Sequence, residues 1–198
     1  MKLFIKSACV AFVLTVIYSI IPFQAQCTDI SNEVFRLHIL ANSDSEKDQD
    51  LKMKVRDTVL EYTKSLFENA SSKEEAEEVV FDNIEEINAV AKSVVMENGY
   101  NYPVKTEITN MYFTTRYYDS YTLPSGMYDA LRITIGSGNG HNWWCVMYPS
   151  ICISSAVEGD KKAKETFDSS QYDIVKNEQY EYKFFIVELF ENLCNCFR

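Results

Sequence analysis

The amino-acid sequence predicts an α+β fold in which a first strand leads into two amphipathic helices, an antiparallel sheet follows, and a C-terminal helix ends the chain. Three observations predict it. Apolar residues recur at helical spacing from about Ser43 to Asn98, they alternate with polar residues after Pro103, and helical spacing returns after Tyr180.

Ahead of these elements stands an export segment. Lys2 and Lys6 precede an acid-free apolar run from Ala8 to Ile21, and Pro22 and the small residue Ala25 follow. That order of charged, apolar and small residues is that of a secretory signal peptide. The run is shorter than the roughly 20 residues that span a bilayer core, so cleavage after Ala25 is the expectation, and an uncleaved anchor extended to Phe23 is the alternative. Gln24-Ala25-Gln26 before Cys27 lacks the small residue that a lipoprotein box places directly before its cysteine. Residues 1–25 are therefore read as a signal peptide and residues 26–198 as one domain of about 170 residues.

The first strand covers Val34 to Ala41, where Phe35, Leu37 and Ile39 alternate with their neighbours. Asn42-Ser43-Asp44-Ser45-Glu46 breaks it, and Ser43 with Glu46 forms a capping box that starts a helix near Ser43. Leu51, Val55, Val59, Tyr62 and Leu66 would face inward, with Lys52, Lys54 and Arg56 facing water. A second helix is capped by Ser72, carries Ala76, Val79, Ile84, Ile87, Val90, Ala91 and Val94 inward, and stops at Asn98-Gly99. The many glutamates along it read as a solvated face.

Strand chemistry follows. Val104, Thr106 and Ile108 alternate with Lys105, Glu107 and Thr109, and Tyr128 to Ile135 alternates again after the turn Leu123-Pro124-Ser125-Gly126, which gives two neighbouring antiparallel strands. Residues 154–179 are polar and charged and read as a mobile connection. Residues 180–197 form the terminal helix, whose Tyr182, Phe185, Ile186, Leu189 and Leu193 either pack on the sheet or meet a partner or a membrane; packing is the simpler expectation.

Removing the leader takes away two lysines and no acid, so the formal charge falls from -10 to -12. Nucleic acid is a poor partner for such a surface. The six cysteines show no Cys-x-x-Cys pair and no nearby pair of histidines, so neither zinc nor any other cofactor is expected. Cys145 and Cys152 are the candidate disulfide, against the alternative of two unlinked buried thiols.

The stretch from Gly136 to Pro149 holds three glycines, both tryptophans and His141. It lacks the Gly-Lys-Ser/Thr ending of a phosphate-binding loop. His141 and Cys145 are the strongest pair for an enzyme, as base and nucleophile of an extracytoplasmic hydrolase, although sequence adjacency does not place them in hydrogen-bond reach. His38, among apolar strand neighbours, is expected to be satisfied locally. Trp143 and Trp144 should point to opposite faces of an extended chain, one in the core and one exposed as a contact anchor. A module that binds the cell envelope through this loop is a further reading.

Two segments carry a resemblance. Arg36-Leu37-His38-Ile39-Leu40-Ala41-Asn42-Ser43-Asp44-Ser45 with Asp50 to Asp57, and Leu123-Pro124-Ser125-Gly126 through Ala130-Leu131-Arg132-Ile133 to Gly140-His141-Asn142-Trp143-Trp144-Cys145-Val146, resemble the stage II sporulation protein R family of endospore-forming bacteria. Asn98-Gly99-Tyr100 and Tyr102-Pro103-Val104 join the match, which spans Phe35 to Cys152. The resemblance implies a messenger made in the forespore and exported into the space between the two sporulation membranes. There it would activate a membrane-embedded aspartic-type protease of the mother cell, which removes the pro-segment of sigma-E. It implies no catalytic residues. The motif positions Asn42, Ser43, Asp44, His141, Asn142, Trp143 and Trp144 then stand as a partner-contact surface, with a helix cap as the competing role for Asn42 to Asp44. Membrane contact would come from an uncleaved leader or from the terminal helix.

Overall fold

A computed structural model describes residues 2–67, 70–118, 121–150 and 156–196. The chain divides into two compact units: one built from Met1–Ser31, Tyr112–Met127 and Ser169–Arg198, the other from Asn32–Met111 and Tyr128–Asp168.

The second unit is organised by β1 (Phe35–Leu40). Helices α2 (Glu46–Leu66), α3 (Lys73–Asp82) and α4 (Ile84–Glu97) follow, then β2 (Val104–Phe113), β5 (Gly126–Ile135), β6 (Asn142–Tyr148) and α5 (Ala156–Thr166), while β3 (Arg116–Tyr118) and β4 (Tyr121–Leu123), between β2 and β5 in the chain, belong to the first unit. Four strands form one sheet in the order β2-β5-β1-β6. The sheet is mixed where an antiparallel one is expected: β1 runs parallel to β5, with Leu37 opposite Leu131 and Ile39 opposite Ile133, and antiparallel to β6, with Leu37 opposite Cys145. The parallel pair follows from the path of the chain. Three helices lie between β1 and the later strands, and a crossover of that length can return the chain in the same direction.

One face of the sheet presents Phe35, Leu37, Ile39, Leu131, Ile133, Ile135, Cys145 and Met147, which share a core with Leu51, Val55 and Val59 of α2, Ala76 and Val80 of α3, and Ile87, Ala91 and Val95 of α4. β1 is buried along nearly its whole length, its polar Arg36 and His38 included.

The helix signals hold with adjustments. The cap of α2 is Ser45 and not Ser43: its side chain accepts the Asp48 N–H at 3.2 Å. Ser43 is engaged elsewhere. Ser72 caps α3 as expected, accepting from the Glu75 N–H. The single second helix is two, broken at Asn83, whose side-chain amide donates to the Val79 carbonyl at 2.8 Å. Such a local bond is how asparagine competes with a continuous helix. Gly99, at φ 84°, ends α4 in the left-handed region. The bonds Gly99 N–H to Met96 O and Tyr100 N–H to Val95 O complete a Schellman motif.

The first unit contains α1 (Lys2–Asn32), the two-stranded β3–β4 sheet, α6 (Ser169–Lys176), a 3-10 turn at Glu178–Tyr180 and α7 (Glu181–Cys196). α1 passes unbroken through Ala25, and Phe23, Cys27 and Ile30 are buried. The Phe23 ring lies 5.8 Å from Tyr180 and 5.4 Å from Phe184. Among the described residues no helix is long and apolar enough to cross a membrane.

Two expectations for the C-terminal third change. The stretch read as a mobile connection holds α5 and α6, with Ala163, Phe167, Ile174 and Val175 buried; residues 151–155 lie outside the described residues. A few apolar side chains per turn suffice to dock short helices, and polar composition hides them. Among the described side chains of α7, Phe184 and Val187 are buried, while Tyr182, Phe185, Ile186 and Leu189 are exposed. The stripe picked out by spacing is thus the outer one, and the side chain of Leu193 lies outside the described residues. Phe184→Ala should destabilise the first unit by about 3–5 kcal/mol, while Phe185→Ala should stay within about 0.5 kcal/mol of wild type. Hydrogen exchange of α7 amides in the two variants checks this.

Candidate functional site

Two loops close on one another at one end of the sheet in the second unit. The first, residues 41–45, leaves β1; the second, residues 136–141, joins β5 to β6. Their backbones hydrogen-bond directly: Gly140 N–H donates to Ala41 O at 2.9 Å and Asn139 N–H to Asn42 O at 3.3 Å. The Ser137 hydroxyl donates to the Asn42 carbonyl at 2.7 Å, and the Ser137 N–H to Asn42 Oδ1 at 3.0 Å.

Glycine is required where these backbones meet. A Cβ on Gly140 would lie 2.2 Å from the Ser43 carbonyl oxygen, and one on Gly136, which also sits at φ 62°, would lie 2.2 Å from Asn42 Oδ1. The glycine-rich sequence that resembles a phosphate loop is therefore a seat for residues 41–43.

Beneath the loops lies Asp48, 5 % exposed. Its carboxylate accepts from Asn42 Nδ2 at 2.9 Å and from the Ser43 hydroxyl at 2.5 Å, and the Tyr102 hydroxyl is a further partner. Burial alone would raise its pKa, but the hydrogen bonds from Ser43, Asn42, Tyr102 and Ser45 outweigh that and hold the carboxyl below its ordinary value. Beside it Lys52, 4 % exposed, donates to Gln49 Oε1 at 2.5 Å and to the His141 carbonyl at 2.9 Å. Burial pushes the Lys52 ammonium down; Asp44 opposes that shift and Arg56 adds to it. Gln49 also donates to the Ser43 carbonyl, at 2.8 Å.

On the rim, Asp44 Oδ1 accepts from the His141 N–H at 2.6 Å and pairs with His141 Nδ1. These two side chains are 55 % and 78 % exposed. Asn142 is exposed as well, and its Oδ1 accepts from His38 Nε2 at 2.8 Å. The His38 ring in turn stacks flat on Trp144, centroids 3.9 Å apart. Trp143 points to the other face, against the core, with the Arg56 guanidinium 4.4 Å above its ring. The expectation of one exposed tryptophan is corrected: both are half-buried, each covered by a cationic or aromatic neighbour.

The structure thus gathers Asn42, Ser43, Asp44, His141, Asn142 and Trp144 at one end of the sheet but divides their work. Asn42 and Ser43 hold the loops together, whereas Asp44, His141 and Asn142 stand outward. Cys145 is buried in the core cluster while His141 turns to Asp44 in an exposed loop, so the two are not arranged as nucleophile and base. Cys152, the other half of the candidate disulfide, lies outside the described residues. Sequence reasoning missed Asp48, Lys52 and Tyr102. The signal was there for two of them: Asp48 and Lys52 share the helical spacing of Val55 and Val59 and so fall on the buried stripe of α2.

Two outcomes follow for this cluster. Because the Asp48 pKa is lower in the folded chain, its contribution is complete above the unfolded value of about 3.9 and is lost as pH falls through the folded value. Asp48→Asn should cost about 1–3 kcal/mol at pH 7, and the gap from wild type should close below pH of about 4, read by urea unfolding with tryptophan fluorescence. Gly140→Ala should cost about 1–3 kcal/mol by the same assay, since the Ser43 carbonyl must move.

Comparison with known proteins places these residues in a family. Residues 31–158 match the family model described as stage II sporulation protein R, a span that contains every residue of the two loops. The chain is also 36 % identical over 143 residues to Stage II sporulation protein R of Bacillus subtilis (strain 168), covering 72 % of this chain and 64 % of that protein. The chain thus spans somewhat less than two thirds of that relative's length. No solved structure matches. With the match running through both loops and across most of the chain, the protein belongs to the stage II sporulation protein R family.

Proposed function

We propose that the protein is an exported messenger of sporulation that passes from the forespore into the intermembrane space and activates a membrane-embedded aspartic-type protease of the mother cell, so that pro-sigma-E is processed. Family membership supports the sporulation role, and the export-type order of Lys2, Lys6, the apolar run and Ala25 fits passage out of the forespore. The observation that carries a binding role is the rim. Asp44, His141 and Asn142 are exposed side chains on two loops that hydrogen-bond to one another.

On this reading the protein acts by recognition. A ligand activates a partner only by binding its active state more tightly, at about 1.4 kcal/mol per tenfold shift in population. A pre-organised rim limits the ordering cost of that contact. The Asp44–His141 pair offers a carboxylate oxygen and an imidazole Nε2, two polar positions suited to hydrogen-bond donors on a loop or edge of the partner.

Co-expression of the chain with the protease and its sigma-factor substrate in a non-sporulating host tests the proposal. Cleavage of the substrate is expected only when all three are present; intact substrate under those conditions would sink it. Asp44→Ala and His141→Ala should leave stability within about 0.5 kcal/mol of wild type. Each should weaken activation about fivefold to thirtyfold, the equivalent of about 1–2 kcal/mol of contact energy.

A further inference from the structure

Among the described residues β2 is an edge strand: β5 flanks it on one side, and no strand pairs with the other edge of Val104–Phe113. An edge strand offers backbone donors and acceptors to any strand that can match it. Residues 104–108 read Val-Lys-Thr-Glu-Ile. Val104 and Ile108 pack against the core, and the Thr106 hydroxyl donates to Asn88 of α4 at 3.0 Å, so these three face the helices. Lys105 and Glu107 alternate to the opposite face. There they form an ion pair within the strand at 2.6 Å, their side chains 70 % and 34 % exposed.

We propose that this edge pairs antiparallel with the same edge of a second copy of the chain, centred on Thr106. In that register Lys105 of each copy stands opposite Glu107 of the other, Val104 opposite Ile108, and Thr106 opposite Thr106. The five-residue segment is complementary to its own reverse, in charge and in apolarity together. A foreign peptide would need no such symmetry in β2.

The pattern also selects the register. Sliding the second copy by two residues puts Lys105 opposite Lys105 or Glu107 opposite Glu107, and like charges directly opposite are destabilising. Sliding it by one residue turns the helix-facing side of one copy to the charged side of the other. Lysine on an edge strand ordinarily repels a second strand. Glu107 on the same face neutralises that guard and supplies its complement.

The test uses the full chain in analytical ultracentrifugation, together with energy transfer between two differently labelled preparations. Wild type should dimerise reversibly with concentration. Lys105→Glu and Glu107→Lys should each weaken association about tenfold or more, because both opposite-charge pairs become like-charge pairs. An equimolar mixture of the two variants restores opposite charges at both positions and should return association to the wild-type level. Three results would overturn the proposal: a wild-type chain that stays monomeric up to about 1 mM, a dimer indifferent to both substitutions, which would place the contact on another surface such as the outer face of α7, or a mixture that fails to associate.

Discussion

The buried carboxylate of Asp48 is the constraint on which the loop-bearing end of the second unit's sheet depends. It is the common acceptor for Asn42, Ser43 and Tyr102, residues from the loop after β1 and the approach to β2. A charge taken out of water is costly unless its lone pairs are met, and here the donors come from two separate parts of the chain. Once that anion is in place Asn42 has one orientation, and Asn42 in turn receives Ser137 through both its side chain and its carbonyl. The position of His141 follows, because the loop that carries it is seated on residues 41–43.

This hierarchy gives the two sequence motifs different meanings. Their inner members, Asn42, Ser43 and the glycines, meet one another and would be demanded by the fold whatever the protein contacts. Their outer members, Asp44, His141 and Asn142, are exposed, although Asp44 also ties the loops through the His141 N–H. Lys52 links the layers: its buried ammonium holds the His141 carbonyl. Trp143 and Trp144 serve the same end from opposite faces of β6, clamping it through Arg56 and His38.

Much of this was legible in the chain. The α+β class, the cap at Ser72 and the stop at Gly99 are signals of local chemistry and needed no knowledge of distant neighbours. The clustering of Asn42 to Asp44 with His141 to Trp144 came through family resemblance, not spacing. What stayed hidden was long-range. The parallel β1–β5 pair depends on how the crossover packs, and Asp48 and Lys52 read as ordinary surface charges until the stripe they share with Val55 and Val59 is traced. The terminal helix shows the opposite error: the largest apolar side chains marked a stripe, yet Phe184 and Val187, offset from it, make the buried contacts.

The loops that Asp48 gathers are joined by bonds between residues 95 to 99 positions apart. Closing so long a segment costs chain entropy that is repaid only when everything between has found its place, so this end of the sheet is expected to be among the last parts to form. The outward rim of Asp44 and His141 therefore exists only on a chain that is complete and correctly folded from β1 to β6. A truncated, nicked or half-folded copy would carry both motifs in its sequence and still display no rim. The rim is thus a property of the whole fold from β1 to β6, and neither motif carries it alone.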